Sequence, residues 1–338
     1  MIKLNKESKI YILCPAAIET GGPESVHLLC EKLLERGFDC NIVYLAHSYP
    51  GGAGHPGHGP IDRSDQWQNY IVTDNCKPKS YEVYKTKCID RIEDDSNNLL
   101  ITLEIFTNAL EKYNNIQKSV WWLASRINDD NTYEQSKWFD FQNNPNVYHF
   151  YNSNFAEFMM FFTGAQYFYR LQTYVNTDFN ENYNNDKSDI ILYNPKKGIE
   201  HIQKIMQAAP KGKGGFSFVP IANMDREEVK IVLGDAKVYI DFGHHPGRER
   251  LPREATLSGC CIITGFRGSA RFHQDVTIPN EYKFDCNNLD TSSIVNLIRD
   301  CFDNYEKRIK DFETHRRILL NNKAQFDIDV DNIFGRIK

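Results

Sequence analysis

Between Gly243 and Glu254 the chain reads Gly-His-His-Pro-Gly-Arg-Glu-Arg-Leu-Pro-Arg-Glu, packing into twelve residues the side chains that bind phosphate. Arg248 and Arg250 offer planar forks that match phosphate oxygens two at a time. Gly243 and Gly247 let the backbone approach a ligand closely, and His244 and His245 add further nitrogen donors. A helix starting near Pro252 would present the positive end of its dipole to the same place. The chemistry these residues share is the binding of a diphosphate.

The flanking pattern says how they are held. Ala236 to Asp241 is a run of small and β-branched residues that reads as a buried strand. Arg253 to Gly259 reads as a short helix closed by a glycine, and Cys260 to Thr264 as the next strand. In an open parallel sheet the crevice lies beyond the carboxyl ends of the strands, so His244, His245, Gly247, Arg248 and Arg250 are expected to face it. A second such unit opens the chain: strand Lys9–Cys14, a loop holding Gly21 and Gly22, a helix with Val26, Leu29 and Leu33, a stop at Gly37, and strand Cys40–Leu45. The dinucleotide fingerprint G-x-G-x-x-G is absent from it.

The central stretch resembles the donor-binding segment of GT-B glycosyltransferases, specifically those that build bacterial capsule and lipopolysaccharide. The shared features are a loop, a helix bearing a glutamate and a Gly-Cys-Cys-Ile-Ile strand start at 259–263. The resemblance implies an α/β fold of two Rossmann-like domains facing each other across a cleft. It implies that Glu254 accepts hydrogen bonds from the ribose hydroxyls of a nucleotide sugar, and that Gly21 and Gly22 form the loop where the acceptor approaches. The family pattern has a first glutamate eight positions before the second, and Pro246 stands there. Either Glu249 takes over its sugar contact, or Arg248 and His244 do. The turn Asn194-Pro195-Lys196-Lys197-Gly198 matches in type and place the strand end that supplies basic side chains to the diphosphate, giving Lys196 and Lys197 as further donor-binding candidates.

With 338 residues the chain is long enough for two domains. The polar, asparagine-rich stretch 174–187 reads as their linker, which places an acceptor-side domain at 1–173 and a nucleotide-sugar domain at 188–314. Residues 315–338 form a last helix that, in the family, packs back on the first domain. A net charge of −5 excludes a dedicated nucleic-acid binder, which would need a basic footprint. Nine scattered cysteines without a C-x-x-C pair fit reduced thiols. With no apolar run long enough for a signal segment or a membrane span, the expectation is a cytoplasmic protein, with at most peripheral contact at the inner membrane.

Other segments carry weaker signals. His55 and His58 lie in a Gly/Pro-rich loop at 47–60, read as a mobile acceptor loop rather than a metal site. The stripe Phe155, Phe158, Met159 and Phe162 reads as core, with a hydrophobic contact face for a lipid-linked acceptor as its alternative. A helix is expected through Ala109 and Tyr113, and one amphipathic helix over Thr291–Thr314. The basic cluster Lys307, Arg308, Lys310, Arg316 and Arg317 reads as a solvated face.

The function expected is transfer of a sugar from a nucleotide-diphosphate donor to a hydroxyl of a surface glycan or lipid-linked oligosaccharide. No DxD-like pair ends a strand, so neither metal nor cofactor is expected, and fixed cations would stabilise the leaving diphosphate. Glu24, Glu104 and His27 are the candidates for a general base. The alternative is a non-catalytic nucleotide-sugar-binding partner subunit of another transferase.

Overall fold

A computed structural model describes residues 2–48, 68–71, 76–125, 139–183, 186–212 and 214–336. His55 and His58, and with them most of the Gly/Pro-rich loop, lie outside the described residues. The described chain divides into two compact units. One comprises the described residues up to Thr173 together with those from Gln325 on, and the other comprises Tyr174–Ala324.

The first unit is built on eight strands: β1 (Lys9–Pro15), β2 (Asp39–Ser48), β3 (Gln68–Ile71), β4 (Lys87–Cys88), β5 (Leu99–Leu103), β6 (Gln117–Trp122), β7 (Tyr148–Tyr151) and β8 (Tyr167–Arg170). Their order is β3-β2-β1-β5-β6-β7-β8, with β4 also on β2, and only β3 runs antiparallel to its neighbour. A parallel sheet is covered on both faces, which is why its central strands are nearly unbroken apolar runs. All five residues of β5 are buried. Helix α1 (Gly21–Glu35) follows β1 and stops before Gly37, whose φ of +87° is left-handed. Helix α2 (Asn154–Thr163) is capped by the Ser153 hydroxyl, which accepts the Ala156 N–H, and ends at left-handed Gly164.

Two expectations for this unit are corrected. Glu104–Lys112 is 3₁₀ rather than α-helical and breaks at Phe106, which buries its ring fully at non-helical dihedrals. On α2 the buried face is Phe155, Ala156, Met159 and Met160, whereas Phe158, Phe161 and Phe162 are 49%, 68% and 71% exposed. The helix is apolar on nearly every side, so periodicity could not tell which face packs on β7 and β8.

The second unit holds strands β9 (Ser188–Tyr193), β10 (Ser217–Pro220), β11 (Ala236–Asp241), β12 (Cys261–Gly265) and β13 (Lys283–Phe284), all parallel, in the order β10-β9-β11-β12-β13. Helices α3 (Ile199–Ala208), α4 (Arg226–Asp235) and α5 (Arg250–Leu257) connect them. Asp225 and Glu228 form a capping box on α4. Lys187 buries its ammonium against the opposite end of α4, donating to the carbonyls of Leu233, Gly234 and Ala236 at 2.9, 2.7 and 3.1 Å. Replacing it by Met leaves those carbonyls without that donor. Lys187→Met is therefore expected to cost about 2–4 kcal/mol, read from the urea midpoint at constant m-value.

The expected helix 291–314 is interrupted. It comprises α6 (Thr291–Asp303), a break at Asn304, α7 (Tyr305–Arg308), a 3₁₀ turn (Ile309–Phe312) and α8 (Glu313–Phe334). Two members of the basic cluster are tied down rather than solvated. Arg308 pairs with Asp300, Glu281 and Asp311, and Arg316 stacks over the Tyr183 ring at 4.1 Å. The part of α8 from Gln325 on belongs to the first unit: Arg36 donates to Asp331 at 2.7 Å, Arg170 pairs with buried Asp329 at 2.9 Å, and Phe326 stacks on Trp121. None of the nine cysteines forms a disulfide, and seven are buried.

Candidate functional site

In the second unit the chain leaves β9 for β10 on one side and returns to β11 on the other. The loops after β9 and β11 therefore part at the carboxyl end of the sheet, which is the switch point where such folds bind ligands. Their backbones meet at two glycines. A Cβ on Gly198 (φ +63°) would lie 2.5 Å from the Phe242 carbonyl carbon, and one on Gly243 would lie 2.5 Å from the Lys197 Cβ. The loop after β12 closes on the same point, since a Cβ on Gly268 (φ +55°) would lie 2.1 Å from the His245 carbonyl oxygen.

Beneath these loops Asp241 ends β11, fully enclosed. One carboxylate oxygen accepts the Gly243 N–H at 3.0 Å and lies 3.2 Å from His245 Nε2, and the other accepts the Tyr239 hydroxyl at 3.2 Å. The His245 contact is electrostatic rather than an aligned hydrogen bond. Burial alone would raise the Asp241 carboxyl, but His245, the Gly243 N–H and Lys197 outweigh it and hold it below its ordinary value. For His245 burial opposes charge, and the Asp241 carboxylate wins and raises its pKa. His245 thus anchors the loop from below, whereas His244 is only half-buried.

The remaining candidates sit around this floor. Lys197 Nζ is 2.6 Å from Glu249, and Arg250 is 3.3 Å from Glu254 one helical turn on. Each of these two half-buried cations therefore stands beside a glutamate, and residues 197, 249, 250 and 254 are brought together. Arg248 is only 8% exposed, and its guanidinium donates to the Asn322 amide oxygen at 2.9 Å. Gly247 uses its carbonyl to accept the Ser269 hydroxyl at 2.6 Å. Lys196 is exposed on the turn before α3. Helix α5 begins at Arg250, three residues earlier than the pattern suggested, so Arg250, Leu251 and Arg253 supply first-turn N–H groups and Pro252 supplies none.

Two residues at this end of the sheet were not singled out from the sequence. Arg253 is buried and donates to the carbonyls of Glu249 at 3.0 Å and Arg248 at 2.7 Å, fixing the loop from the helix side. Arg267, in the loop after β12, donates to the Phe242 carbonyl at 3.2 Å and lies 3.8 Å from Glu200. The rule that selected Arg248, a cation in a glycine-bearing loop just past a strand, would also have selected Arg267.

In the first unit the corresponding switch point lies between β1 and β5. Glu24, in the first turn of α1, accepts the Tyr84 hydroxyl at 3.0 Å. Glu104 is buried and accepts the Leu123 N–H at 3.1 Å, tying the ends of β5 and β6 together. Gly21 accepts the Ser25 hydroxyl at 2.7 Å, and a Cβ on Gly22 would only graze Leu123 at 3.6 Å. His27 is placed elsewhere. It is fully buried, with Nδ1 bonded to Thr86 at 2.8 Å and Nε2 to Tyr44 at 2.7 Å, among the rings of Tyr81 and Tyr84. Burial, with Lys77 nearby, lowers its pKa to about 4. Both nitrogens are committed and no face meets solvent, which removes His27 from the candidate bases.

Two Rossmann-like units, each a wholly or mainly parallel sheet with its loops gathered at one end, define the GT-B fold of the glycosyltransferases. No protein-family model matches the chain, and no curated protein matches it by sequence. Among solved structures, the sucrose-phosphate synthase of Thermosynechococcus elongatus is similar over 97% of this chain and 98% of its own, at 14% identity and a TM-score of 0.62. HepE of Anabaena, solved with UDP-glucose, is similar over 96% and 98%, at 9% identity and 0.61. TarM of S. aureus, solved with UDP and fondaparinux, covers 71% of this chain and 55% of its own, at 13% identity and 0.51. At these identities the likeness establishes the fold.

Proposed function

We propose that the chain is a glycosyltransferase that moves a sugar from a nucleotide-diphosphate donor to a hydroxyl of a surface glycan or lipid-linked oligosaccharide. The observation that carries this reading is the gathering of Lys197, Glu249, Arg250 and Glu254 at the switch point of the second unit. The UDP and UDP-glucose bound to HepE support a nucleotide sugar as donor. Departure of the diphosphate leaves negative charge that Lys197, Arg250 and the first turn of α5 would stabilise, and Glu254 would accept the ribose hydroxyls. The acceptor would be held on the first unit, where Glu24 and Glu104 remain as candidate bases.

The test is a thermal-shift panel of UDP, GDP, CMP and dTDP with their sugars. A ligand at a hundred times its Kd stabilises the fold by about 2.7 kcal/mol. Lys197→Ala, Arg250→Ala and Glu254→Ala are each expected to weaken the responding nucleotide sugar by about 10- to 100-fold. Unchanged affinity in all three would defeat the assignment.

Pro246, in place of the family glutamate, and the burial of His27 favour a second reading, a non-catalytic partner subunit. Slow hydrolysis of donor without acceptor separates the two, since a bare binding subunit shows none. The exposed phenylalanines of α2 support a peripheral contact with an apolar surface. Flotation with liposomes that Phe161→Ser and Phe162→Ser abolish would establish it.

A further inference from the structure

The amino-terminal end of the first unit's sheet, opposite the loops that carry Glu24 and Glu104, holds a feature the transfer reading does not use. The turns entering β6 and β7 and the first residue of β8 line a cavity of about 510 Å³, within the range of small-ligand sites. The turn before β6 brings Asn114 and Asn115 to the lining, the turn before β7 forms a second wall with Asn144 and Asn146, and Tyr148 and Tyr167 add their rings from the neighbouring starts of β7 and β8. Among the described residues, Lys118 is the one strongly basic group in the lining and no carboxylate is part of it.

Both walls are held from behind. The Asp94 carboxylate accepts the N–H groups of Asn114, Asn115 and Ile116 at 2.9, 2.9 and 2.8 Å, and these bonds hold its pKa below the ordinary value. Asp140 accepts the N–H groups of Gln142 and Asn143, both at 3.1 Å, and its pKa is lowered likewise. Gln117 closes the base of the first wall, accepting the Lys3 N–H at 2.8 Å and donating to the Lys3 carbonyl at 2.7 Å. The aspartates form the turns, and the side-chain amides of Asn114 and Asn146 take no part in them. The two tyrosine rings lie 5.5 Å apart at 42°, and Tyr167 is 39% exposed.

Neutral amides that both donate and accept, set beside aromatic faces on rigid walls, match vicinal hydroxyls and the C–H face of a sugar ring. Among the described residues, a phosphate or carboxylate ligand would find a single cation, Lys118. We propose that this cavity is a non-catalytic carbohydrate-binding site for a neutral segment of an oligosaccharide or polysaccharide. It lies at the far end of the strands from Glu104, about 20 Å away along β6. A glycan held there would be gripped well away from its reacting end. The site does not depend on the donor reading, although the two together describe an enzyme that holds a long acceptor.

Affinity electrophoresis of the full chain through gels containing dextran, soluble starch, galactomannan, mixed-linkage β-glucan or heparin tests this. At least one neutral polysaccharide is expected to retard the wild type. Tyr167→Ala and Asn146→Ala should each weaken that retardation by about fivefold or more, whereas Tyr167→Phe retains most of it. Melting temperature and the thermal shift with nucleotide sugar should stay as in the wild type, so that a failed donor site and a failed glycan site are told apart. Retardation by heparin alone, by none of the gels, or undiminished in the Tyr167→Ala/Asn146→Ala double variant overturns the proposal.

Discussion

Lowering the pH from 7 toward 4 is expected to destabilise this chain steeply, through three histidines that folding keeps neutral. His27 has its pKa lowered to about 4 and His149 and His315 to about 3, in each case chiefly by burial, with neighbouring cations adding to the effect at His27 and His315. For two of them the bonding requires the neutral ring: His149 Nδ1 accepts the Trp122 indole N–H at 3.1 Å, and His315 Nδ1 accepts the Thr277 N–H at 3.2 Å. Once the pH falls below the unfolded value near 6.5, the unfolded chain takes up protons that the folded chain refuses. Each histidine then withdraws about 1.4 kcal/mol per pH unit until its folded pKa is reached. Three acting together remove about 4 kcal/mol per unit, a large fraction of a domain's usual 5–15 kcal/mol. His245 works in the opposite sense, because its pKa is raised and its contribution is lost as pH rises through the folded value. Asp241, with a lowered pKa, surrenders its contribution only below the ordinary carboxylate range. The steep window is therefore about pH 6.5 to 4. Urea midpoints taken across it should give a slope of more than one proton, and His149→Gln should flatten it by about one. A slope near zero would contradict the buried, neutral assignment.

What could be read in the sequence, and what could not, divides along physical lines. Central strands such as Lys9–Cys14 and Ala236–Asp241 were legible because a parallel strand covered on both faces needs mostly apolar residues, whereas short or half-exposed edge strands such as β4 and β8 carry no such run. The loop from Gly243 to Arg250 was legible as a ligand loop because glycine, arginine and a strand end are local features. The Lys197–Glu249 pair was not, since those residues are far apart in sequence and meet only where the Gly198 and Gly243 backbones touch. His27 misled for the same reason. Its cage of Tyr44, Tyr81, Tyr84 and Thr86 is assembled from distant segments, and a histidine in the second turn of a helix carries no local sign of it. The exposed rings of α2 and the break at Asn304 likewise depend on which surface the helix meets, a choice periodicity leaves open when apolar residues lie on several sides.

Adding one methyl group at Gly198 should cost more than at any open glycine of the same unit, and it should also cost the ligand site. Gly212 supplies the comparison: its φ of +80° is left-handed like the +63° of Gly198, but a Cβ there meets nothing within 4 Å. Gly212→Ala therefore carries only the conformational penalty, about 1 kcal/mol. Gly198→Ala carries the same penalty and in addition sets a Cβ 2.5 Å from the Phe242 carbonyl carbon and 2.6 Å from the Gly243 nitrogen. These are backbone atoms with no rotamer to escape into, so the two loops must part, at a further cost of about 1–3 kcal/mol. Urea unfolding of the two variants should thus differ by that amount. Because Lys197 and Glu249 sit on the loops that separate, Gly198→Ala should also weaken the nucleotide-sugar thermal shift, whereas Gly212→Ala should leave it intact. If the two variants matched within 0.5 kcal/mol, the loops after β9 and β11 would not be in backbone contact, and the floor of the candidate site would have to be drawn differently.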